Sequence, residues 1–195
     1  PNGAGKSTTM NIMTGYLSAT SGTVRIAGHE MLLEPEEAKR HIGYLPEIPP
    51  VYPDMTPREY LRFAGELKGV ARGKLEAEVE RVMELTGITS MHRRLIGNLS
   101  KGYRQRVGVS CALLGDPEVI ILDEPTVGLD PRQILDIRDL IRSLGGDHTV
   151  ILSSHILSEV SAVCDHVLIL SGGKLVAQGT PAELERLMRR SNRYH

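Results

Sequence analysis

A glycine-rich run at the beginning of the chain has the residue types of a phosphate-binding loop. Residues 1–8 read Pro-Asn-Gly-Ala-Gly-Lys-Ser-Thr, which is the pattern G-x-x-x-x-G-K-[ST] without its first glycine. Glycines let backbone N–H groups approach phosphate oxygens, and the helix that follows points its positive end at the anion. Lys6 adds a full charge toward the β- and γ-phosphates, and the Ser7 hydroxyl is suited to Mg²⁺. We therefore predict phosphate contacts from Asn2, Gly3, Ala4, Gly5, Lys6, Ser7 and Thr8.

A second candidate site is an apolar strand that ends in two carboxylates. The run 119–122 reads Val-Ile-Ile-Leu and is followed by Asp123 and Glu124, the Walker B arrangement. Asp123 can hold Mg²⁺ because hard cations prefer oxygen ligands, and Glu124 can polarise a water for attack on the γ-phosphate. A strand that ends in Asp-Glu is weak evidence by itself, since many such ends are turns. Combined with the phosphate-binding loop, it predicts a site of nucleotide hydrolysis.

Short apolar strands alternate with helical segments, which predicts an α/β fold with a mostly parallel sheet flanked by helices. The predicted strands are 23–27, 41–45, 119–122, 149–152, 167–170 and 174–177. The predicted helices are 6–14, 57–68, 74–86, 101–114, 131–142 and 181–188. Because residues 119–122 and 167–170 are apolar on both faces of the pleat, we expect both strands at the centre of the parallel sheet.

The middle of the chain interrupts this alternation. Residues 46–114 contain helical patterns and no good strand, so we predict one domain with an inserted helical subdomain. Residues 1–45 and 115–195 would then form the nucleotide-binding core. Thr56 is a predicted N-cap, because Pro57 suits the first helical position and Glu59 completes a capping box.

The composition argues against several other classes of protein. The 195 residues make one domain's length, with 23 basic against 24 acidic side chains. We expect no nucleic-acid partner, because such a surface usually needs clustered basic charge. Cys111 and Cys164 lie outside any metal-ligand spacing and are expected to be small buried hydrophobic residues. No apolar run approaches the ~20 residues that cross a bilayer, so we expect no membrane span.

The chain begins inside a motif and without a methionine, so we interpret it as a fragment that lacks its N-terminus. A phosphate-binding loop needs a strand ahead of it, and we expect that strand in the missing part. We also expect the 195 residues by themselves to fold poorly, because a central sheet edge would be exposed.

Four further motifs resemble those of the ATP-binding cassettes of ABC transporters. Residues 99–106, Leu-Ser-Lys-Gly-Tyr-Arg-Gln-Arg, resemble the family's signature motif, and residues 128–131, Gly-Leu-Asp-Pro, match its D-loop. Ser-Ser-His at 153–155 matches its switch histidine, and Gly-Tyr-Leu-Pro-Glu at 43–47 occupies its Q-loop position. These motifs follow the family order, and the similarity extends to Leu184. Residues 46–57 and the signature are similar to exporter ATPases of the multidrug and gliding-motility type.

The resemblance implies ATP as the nucleotide and Mg²⁺ as its metal. Glu124 would be the catalytic base, and His155 would orient the γ-phosphate and the attacking water. Ser7, Asp123 and Glu47 would ligate the metal, although the family commonly has glutamine at the position of Glu47. Two cassettes would form a head-to-tail dimer in which the signature of one contacts the ATP of the other, through Ser100, Lys101, Gly102 and Tyr103. Lys101 and Tyr103 depart from the family signature, and we find no advantage for Tyr103 in the sequence.

The resemblance also implies a membrane partner. A separate permease would dock near residues 47–57, where Val51, Tyr52 and Met55 are expected to be exposed. The protein would then be cytoplasmic and peripheral on the inner face of the cell membrane. Two alternatives are a soluble cassette acting on ribosomes or DNA, and a degenerate cassette that serves only as a structural partner. The single phosphate-binding loop disfavours the first, and the intact set of Lys6, Asp123, Glu124 and His155 disfavours the second. The resemblance also implies that the permease, and not the cassette, selects the transported substrate.

Overall fold

The structure is a computed structural model that describes residues 3–191. The predicted phosphate contact of Asn2 lies outside this range. The helices are α1 Lys6–Met13, α2 Pro35–Arg40, α3 Pro57–Leu67, α4 Arg72–Thr86, α5 Lys101–Leu113, α6 Pro131–Leu144, α7 Leu157–Val163 and α8 Pro181–Ser191. The strands are β1 Arg25–Ile26, β2 His29–Glu30, β3 Ile42–Leu45, β4 Val119–Asp123, β5 Thr149–Ser153, β6 Val167–Ser171 and β7 Lys174–Gly179. Two 3₁₀ turns, Thr89–Met91 and Ile96–Asn98, precede α5.

Three parallel strands in the order β3-β4-β5 form the sheet that positions the predicted site. Their register pairs Leu45 with Leu122 and Asp123 with Ser153. Because the strands are parallel, their carboxyl ends meet at one edge, and the Q-loop, Asp123–Glu124 and the segment before His155 all begin there. The β4 residues Ile120, Ile121 and Leu122 are fully buried, as their continuous apolar pattern predicts.

The prediction that residues 167–170 form a central strand of the parallel sheet is wrong. In the described part of the chain, β6 pairs antiparallel with β7, and the side chain of Leu168 is exposed. The cause is the turn between the two strands. Ser171 pairs with Lys174, so the loop is the dipeptide Gly172-Gly173, with φ of 55° and 75°. Two glycines with positive φ are typical of a tight β-hairpin, which reverses the chain at once.

The predicted strand 23–27 is also shorter than expected. Only Arg25–Ile26 is extended, and it pairs antiparallel with His29–Glu30 across the turn at Ala27 and Gly28. The two short helices α2 and α7 were not predicted, because six and seven residues are too few for a clear helical period. The other predicted strands and helices are present with boundaries that differ by a few residues.

The helical segment contains α3, α4 and α5, which pack against one another and, through α5, against β3. Thr56 caps α3 as predicted, since its side chain accepts from the Glu59 N–H while the Glu59 carboxylate accepts from the Thr56 N–H. One hydrophobic cluster runs from Leu61 and Val79 to Ile120 and Leu122, so these helices and the sheet share a core. Both cysteines are free thiols and only half-buried.

Within residues 3–191, no helix combines the length and the apolar character that a membrane span requires. α3 is strongly amphipathic, and its apolar residues Tyr60, Leu61 and Ala64 face the shared core. These three apolar positions of α3 are therefore used for packing within the chain.

Candidate functional site

A cleft of about 310 Å³ opens at the carboxyl edge of the parallel sheet. Its walls come from the glycine-rich loop, the start of α1, the Q-loop, the end of β4 and the segment after β5. The residues that line it are Gly3, Gly5, Lys6, Ser7, Thr8, Glu47, Asp123, Glu124, Val127 and His155. Apart from Val127, every one of them was singled out in the sequence as a phosphate, metal or catalytic contact.

The glycine-rich loop has the conformation that its glycines predict. Gly3 and Gly5 have φ of 76° and 101°, a region that residues with a side chain rarely adopt. α1 begins directly after Gly5, so its first free N–H groups lie at the cleft. Ala4 is buried, and its carbonyl accepts a hydrogen bond of 3.0 Å from the N–H of Gly173 in the β6–β7 turn. The β6–β7 hairpin therefore contacts the glycine-rich loop and supports its conformation.

The Glu124 carboxylate lies between two basic side chains. Its Oε1 is 3.2 Å from the Lys6 ammonium, and its Oε2 is 3.1 Å from Nδ1 of His155. The Glu124 side chain is only 12% exposed, whereas His155 is 40% exposed. These contacts join three motifs that are far apart in the sequence. They also leave a carboxylate at the cleft that can accept a proton.

Glu124 has an unusual backbone conformation. Its φ is 47°, in the left-handed region, which costs a residue with a side chain on the order of 1–3 kcal/mol. Its N–H is held by Ser153, through the backbone carbonyl at 3.2 Å and the hydroxyl oxygen at 2.9 Å. Strained residues of this kind concentrate at functional sites, where the surrounding structure fixes them.

Ser153 connects both acidic residues of the site. Its hydroxyl donates to Oδ1 of Asp123 while accepting from the Glu124 N–H, and the residue is 5% exposed. The sequence placed Ser153 only within the histidine motif. The pairing of Ser153 with Asp123 depends on strand register, which the sequence alone does not give.

Ser153→Ala is expected to lower the free energy of unfolding by about 1–3 kcal/mol, because it leaves buried polar groups without their partner. We expect turnover to fall by about tenfold or more, since Asp123 and Glu124 lose the group that orients them. Denaturant unfolding and phosphate release measure the two effects. Ser158→Ala, at an exposed position of α7, is the matched control. Activity of Ser153→Ala equal to that of the control would contradict the assigned role.

A buried pair beside the site was also missed in the sequence. The Thr126 hydroxyl donates to Oε2 of Glu159, and both residues are less than a tenth exposed. Thr126 follows Glu124 closely and Glu159 follows His155 closely. Their hydrogen bond therefore ties together the two segments that carry the catalytic candidates. Nothing in the local sequence indicates this contact, because the partners are 33 residues apart.

Tyr44 lies behind the site on β3. Its pKa is raised, first by burial and then by the negative charge of Asp123 and by Tyr16. The phenol therefore stays neutral and protonated at physiological pH. Tyr44 also packs against Tyr16, with ring centroids 6.1 Å apart. A structural role for Tyr44 fits these contacts.

Glu47 is exposed to solvent and is one of the residues that line the cleft. Glu47→Gln is expected to keep ATP hydrolysis within about tenfold of the parent, equivalent to ~1.4 kcal/mol of barrier. The reason is that an amide oxygen can still ligate a cation. Steady-state turnover at saturating Mg²⁺ measures the effect. A loss of a hundredfold or more would show that the charge of Glu47, and not only its oxygen, is required.

The signature residues do not line this cleft, although all of them lie in the described part of the chain. Ser100 is the N-cap of α5, and its hydroxyl oxygen accepts from the Tyr103 N–H at 3.2 Å. Gly102 is buried in the first turn of α5. Contact of these residues with the nucleotide of a second subunit stays a prediction.

The two departures from the family signature have structural partners in the same chain. Lys101 extends over Gly128 of the D-loop, where a Cβ on Gly128 would lie 2.1 Å from the lysine Nζ. Tyr103 packs against the hydrophobic core, and the Arg106 guanidinium lies 5.6 Å from its ring centroid. The advantage of Tyr103 that the sequence did not reveal is therefore packing and a cation–π contact.

The expected exposure of the permease-docking segment is partly wrong. Val51 and Met55 are half-buried and pack against the core, because the chain bends back after the prolines. Tyr52 is exposed as predicted, with its ring edge-on to Tyr60 and Phe63. Ile48, which was not predicted, is 83% exposed. The apolar surface of this segment is therefore formed by Ile48 and Tyr52.

Comparisons with known proteins identify the family of the chain. The family model described as ABC transporter matches residues 1–127. The ABC transporter ATP-binding protein YxlF of Bacillus subtilis (strain 168) is 39% identical over 186 residues, covering 95% of this chain and 61% of YxlF. The bacitracin transport ATP-binding protein BcrA of Bacillus licheniformis is 38% identical over 195 residues, covering 99% of this chain and 62% of BcrA. The chain thus spans about three fifths of the length of these curated relatives.

A solved structure gives the same result for the fold. The protein cbiO1 from Clostridium perfringens, described as part of the ABC transporter complex cbiONQ, superposes with a TM-score of 0.87 at 26% identity. The superposition covers 98% of this chain and 80% of cbiO1.

A parallel sheet whose carboxyl edge carries a phosphate-binding loop, an Asp-Glu pair and a histidine defines a nucleotide-binding protein of the P-loop class. Within that class, the chain belongs to the ATP-binding family of ABC transporters. The predicted family and α/β cassette fold are therefore confirmed.

Proposed function

We propose that this chain binds ATP and hydrolyses it to ADP and phosphate, as the nucleotide-binding subunit of a transporter. The observation that carries the proposal is the position of the Glu124 carboxylate. It lies 3.2 Å from Lys6 of the phosphate-binding loop and 3.1 Å from His155, at a cleft that both residues line. A base, a cation for phosphate and a second polar group are thus within reach of one another.

Each side chain has a distinct task in this proposal. The loop N–H groups and Lys6 bind the phosphates, and Lys6 exchanges its contact with Glu124 for phosphate oxygens. Glu124 takes a proton from the attacking water. At the same time the water oxygen bonds to the γ-phosphorus, and the bond between that phosphorus and the ADP oxygen breaks. The proton ends on the Glu124 carboxylate. His155 is hydrogen-bonded to the same carboxylate and holds that side chain in place. Neutral Tyr44 adds no negative charge near Asp123.

The donor set of the cleft fits Mg²⁺. The Ser7 hydroxyl, the Asp123 carboxylate and the Glu47 carboxylate are hard oxygen donors, and all three residues line the cleft. When bound, Mg²⁺ would neutralise charge on the phosphates. Ser153 orients the Asp123 carboxylate through its hydroxyl, so the ligand is positioned by the fold and not by the metal alone.

The transporter role extends to partners and location. The chain would pair with a second cassette and with a membrane permease that contacts the surface around Ile48 and Tyr52. It would lie on the cytoplasmic face of the cell membrane. Support comes from BcrA, named for bacitracin transport, and from cbiO1, described as part of a transporter complex. The similarity to drug-related exporter ATPases favours export over import.

A soluble cassette without a permease is the second candidate function, and one experiment separates the two. The complete gene product is co-expressed with any membrane protein encoded beside its gene, and Mg²⁺-dependent phosphate release is measured for the gene product alone and for any complex that forms. We expect co-purification and hydrolysis that EDTA abolishes. Hydrolysis without any co-purifying membrane protein would favour the soluble cassette. Absence of Mg²⁺-dependent hydrolysis in both preparations would reject the proposed activity.

A further inference from the structure

We propose that Gln133, near the start of α6, is a positioning residue that couples two functional segments of the same chain. These are the signature segment, residues 100–103, and the D-loop, residues 128–131. The inference rests on the proposed function, in which the signature of one subunit meets the nucleotide of another. Gln133 does not line the cleft of its own chain, so its effect would be exerted through the signature segment.

The first contact joins Gln133 to the signature helix. A Cβ built on Gly102 would lie 3.0 Å from Cδ, 3.1 Å from Cγ and 3.1 Å from Nε2 of Gln133. Gly102 is buried, and the Gln133 side chain lies directly over it. This packing gives the glycine of the signature a reason within its own chain, since any larger residue would push Gln133 away.

The second contact joins the same side chain to the D-loop. Oε1 of Gln133 accepts a hydrogen bond of 3.1 Å from the Asp130 N–H, and Oδ1 of Asp130 accepts one of 2.9 Å from the Gln133 N–H. This reciprocal pair is a capping box at the start of α6. One side chain thus fixes the last part of the D-loop with its oxygen and covers the signature helix with the rest of its amide and its methylene groups.

Two further contacts reinforce the coupling. The Lys101 side chain lies on Gly128, whose φ of 70° and missing Cβ leave room for it. Farther along both helices, the Arg106 guanidinium pairs with Asp136 at 3.4 Å and donates to the Thr86 carbonyl at the end of α4. The start of α5 is therefore held against the D-loop and α6 at Lys101, Gly102 and Arg106.

The contacts of Gln133 have a specific consequence for the pairing of two cassettes. Contacts to a γ-phosphate depend on sub-ångström placement, so the signature must reach the second subunit in a fixed position. If Gln133 sets that position, its removal weakens the ATP-bound dimer. ATP binding to the cleft of the isolated subunit should not change.

The test uses the complete gene product with Glu124→Gln, which is expected to retain ATP in a dimer. Gln133→Ala in that background is expected to weaken ATP-dependent dimerisation by at least about fivefold in sedimentation experiments. Binding of a fluorescent ATP analogue to the subunit at low concentration should stay within about twofold. Gln133→Glu should restore dimerisation, because glutamate has the same length and also completes a capping box.

Control variants separate positioning from loss of structure. Arg132→Ala, at the exposed neighbouring position, should leave dimerisation within about twofold of the parent. If Gln133→Ala does not fold, Gln133→Met keeps side-chain bulk over Gly102 but removes the amide, including the Oε1 acceptor of the capping box, and it should still weaken the dimer. Dimerisation of Gln133→Ala and Gln133→Met equal to that of the parent would overturn the inference. A Glu124→Gln parent that never dimerises with ATP would instead reject the proposed head-to-tail assembly.

Discussion

Glu124→Gln is expected to reduce steady-state ATP hydrolysis by at least about a hundredfold, the usual size of a lost general base. Glutamine has the same shape as glutamate but cannot take up the proton of the attacking water. The left-handed backbone at this residue is held by Ser153 through the Glu124 N–H, which the substitution leaves intact. The loss should therefore be chemical and should not reflect a displaced strand end.

ATP affinity should be equal to or higher than that of the parent. The Lys6 ammonium lies 3.2 Å from the Glu124 carboxylate, so the phosphates of ATP compete with a negative charge for Lys6. A neutral amide competes less, and it removes a like charge from beside the γ-phosphate. The expected signature of the variant is thus slow turnover with retained binding, which allows an ATP-bound dimer to accumulate.

Two measurements on the complete gene product check this expectation. Phosphate release gives turnover, and a fluorescent ATP analogue gives affinity. Glu118→Gln is the matched control, because Glu118 precedes the same strand at its other end and its side chain is 67% exposed. Its turnover should stay within about twofold of the parent. Unchanged hydrolysis in Glu124→Gln would show that another group is the base.

Much of the site could be predicted because its residues follow the ends of parallel strands. The apolar runs before Glu47, Asp123 and Ser153 predict buried strands, and parallel strands place their carboxyl ends at one edge of the sheet. The phosphate-binding loop is also local, since its glycines and the helix that follows determine its shape. Short-range pattern was therefore sufficient for Lys6, Ser7, Asp123 and Glu124, whereas Glu47 and His155 were predicted through the family resemblance.

The direction of a strand was harder to predict from the sequence than its position. Residues 167–170 are apolar throughout, yet β6 lies in an antiparallel hairpin and exposes Leu168. An apolar run shows that a strand has two apolar faces and says nothing about its direction. The Gly172-Gly173 dipeptide was the better signal, because a two-residue turn requires an antiparallel neighbour.

Long-range polar contacts were the least predictable part. Ser153 and Glu159 form hydrogen bonds with residues about 30 positions away, which depend on strand register or on the packing of distant segments. In the sequence, each looks like an ordinary polar residue. Val51 and Met55 show the same limit for apolar residues, since their burial depends on how the proline-rich segment folds back on the core.

Gly43→Ala is expected to lower the free energy of unfolding by about 3 kcal/mol or more, at the upper end for overpacked cores. Gly43 lies in the middle of β3, where α5 crosses the sheet. A Cβ at this position would be 1.9 Å from the Ala112 carbonyl oxygen and 2.8 Å from its carbon. A Cβ atom is not found this close to another heavy atom in real structures, so part of the backbone must move. Because both atoms belong to the backbone of α5, no side-chain rotation can relieve the clash.

The shift of α5 caused by Gly43→Ala should also disturb the functional site. α5 begins at the signature, and β3 leads into the Q-loop at Glu47, so moving α5 away from the sheet disturbs both segments. Ala112 is fully buried, and Cγ of Pro117 would lie 3.0 Å from the same added Cβ. The helix therefore has to shift as a body, which would lower turnover in the fraction of molecules that still fold.

Gly73→Ala provides the matched control for denaturant unfolding. Gly73 lies in α4, has no atom within 4 Å of its added Cβ and lies outside the positive-φ region. Alanine there should be neutral or should stabilise by about 0.4–1 kcal/mol, because it restricts the unfolded chain and favours helix. Opposite signs for the two substitutions would attribute the effect to the contact between β3 and α5. A Gly43→Ala protein as stable as its parent would mean that α5 does not pack this closely on the sheet.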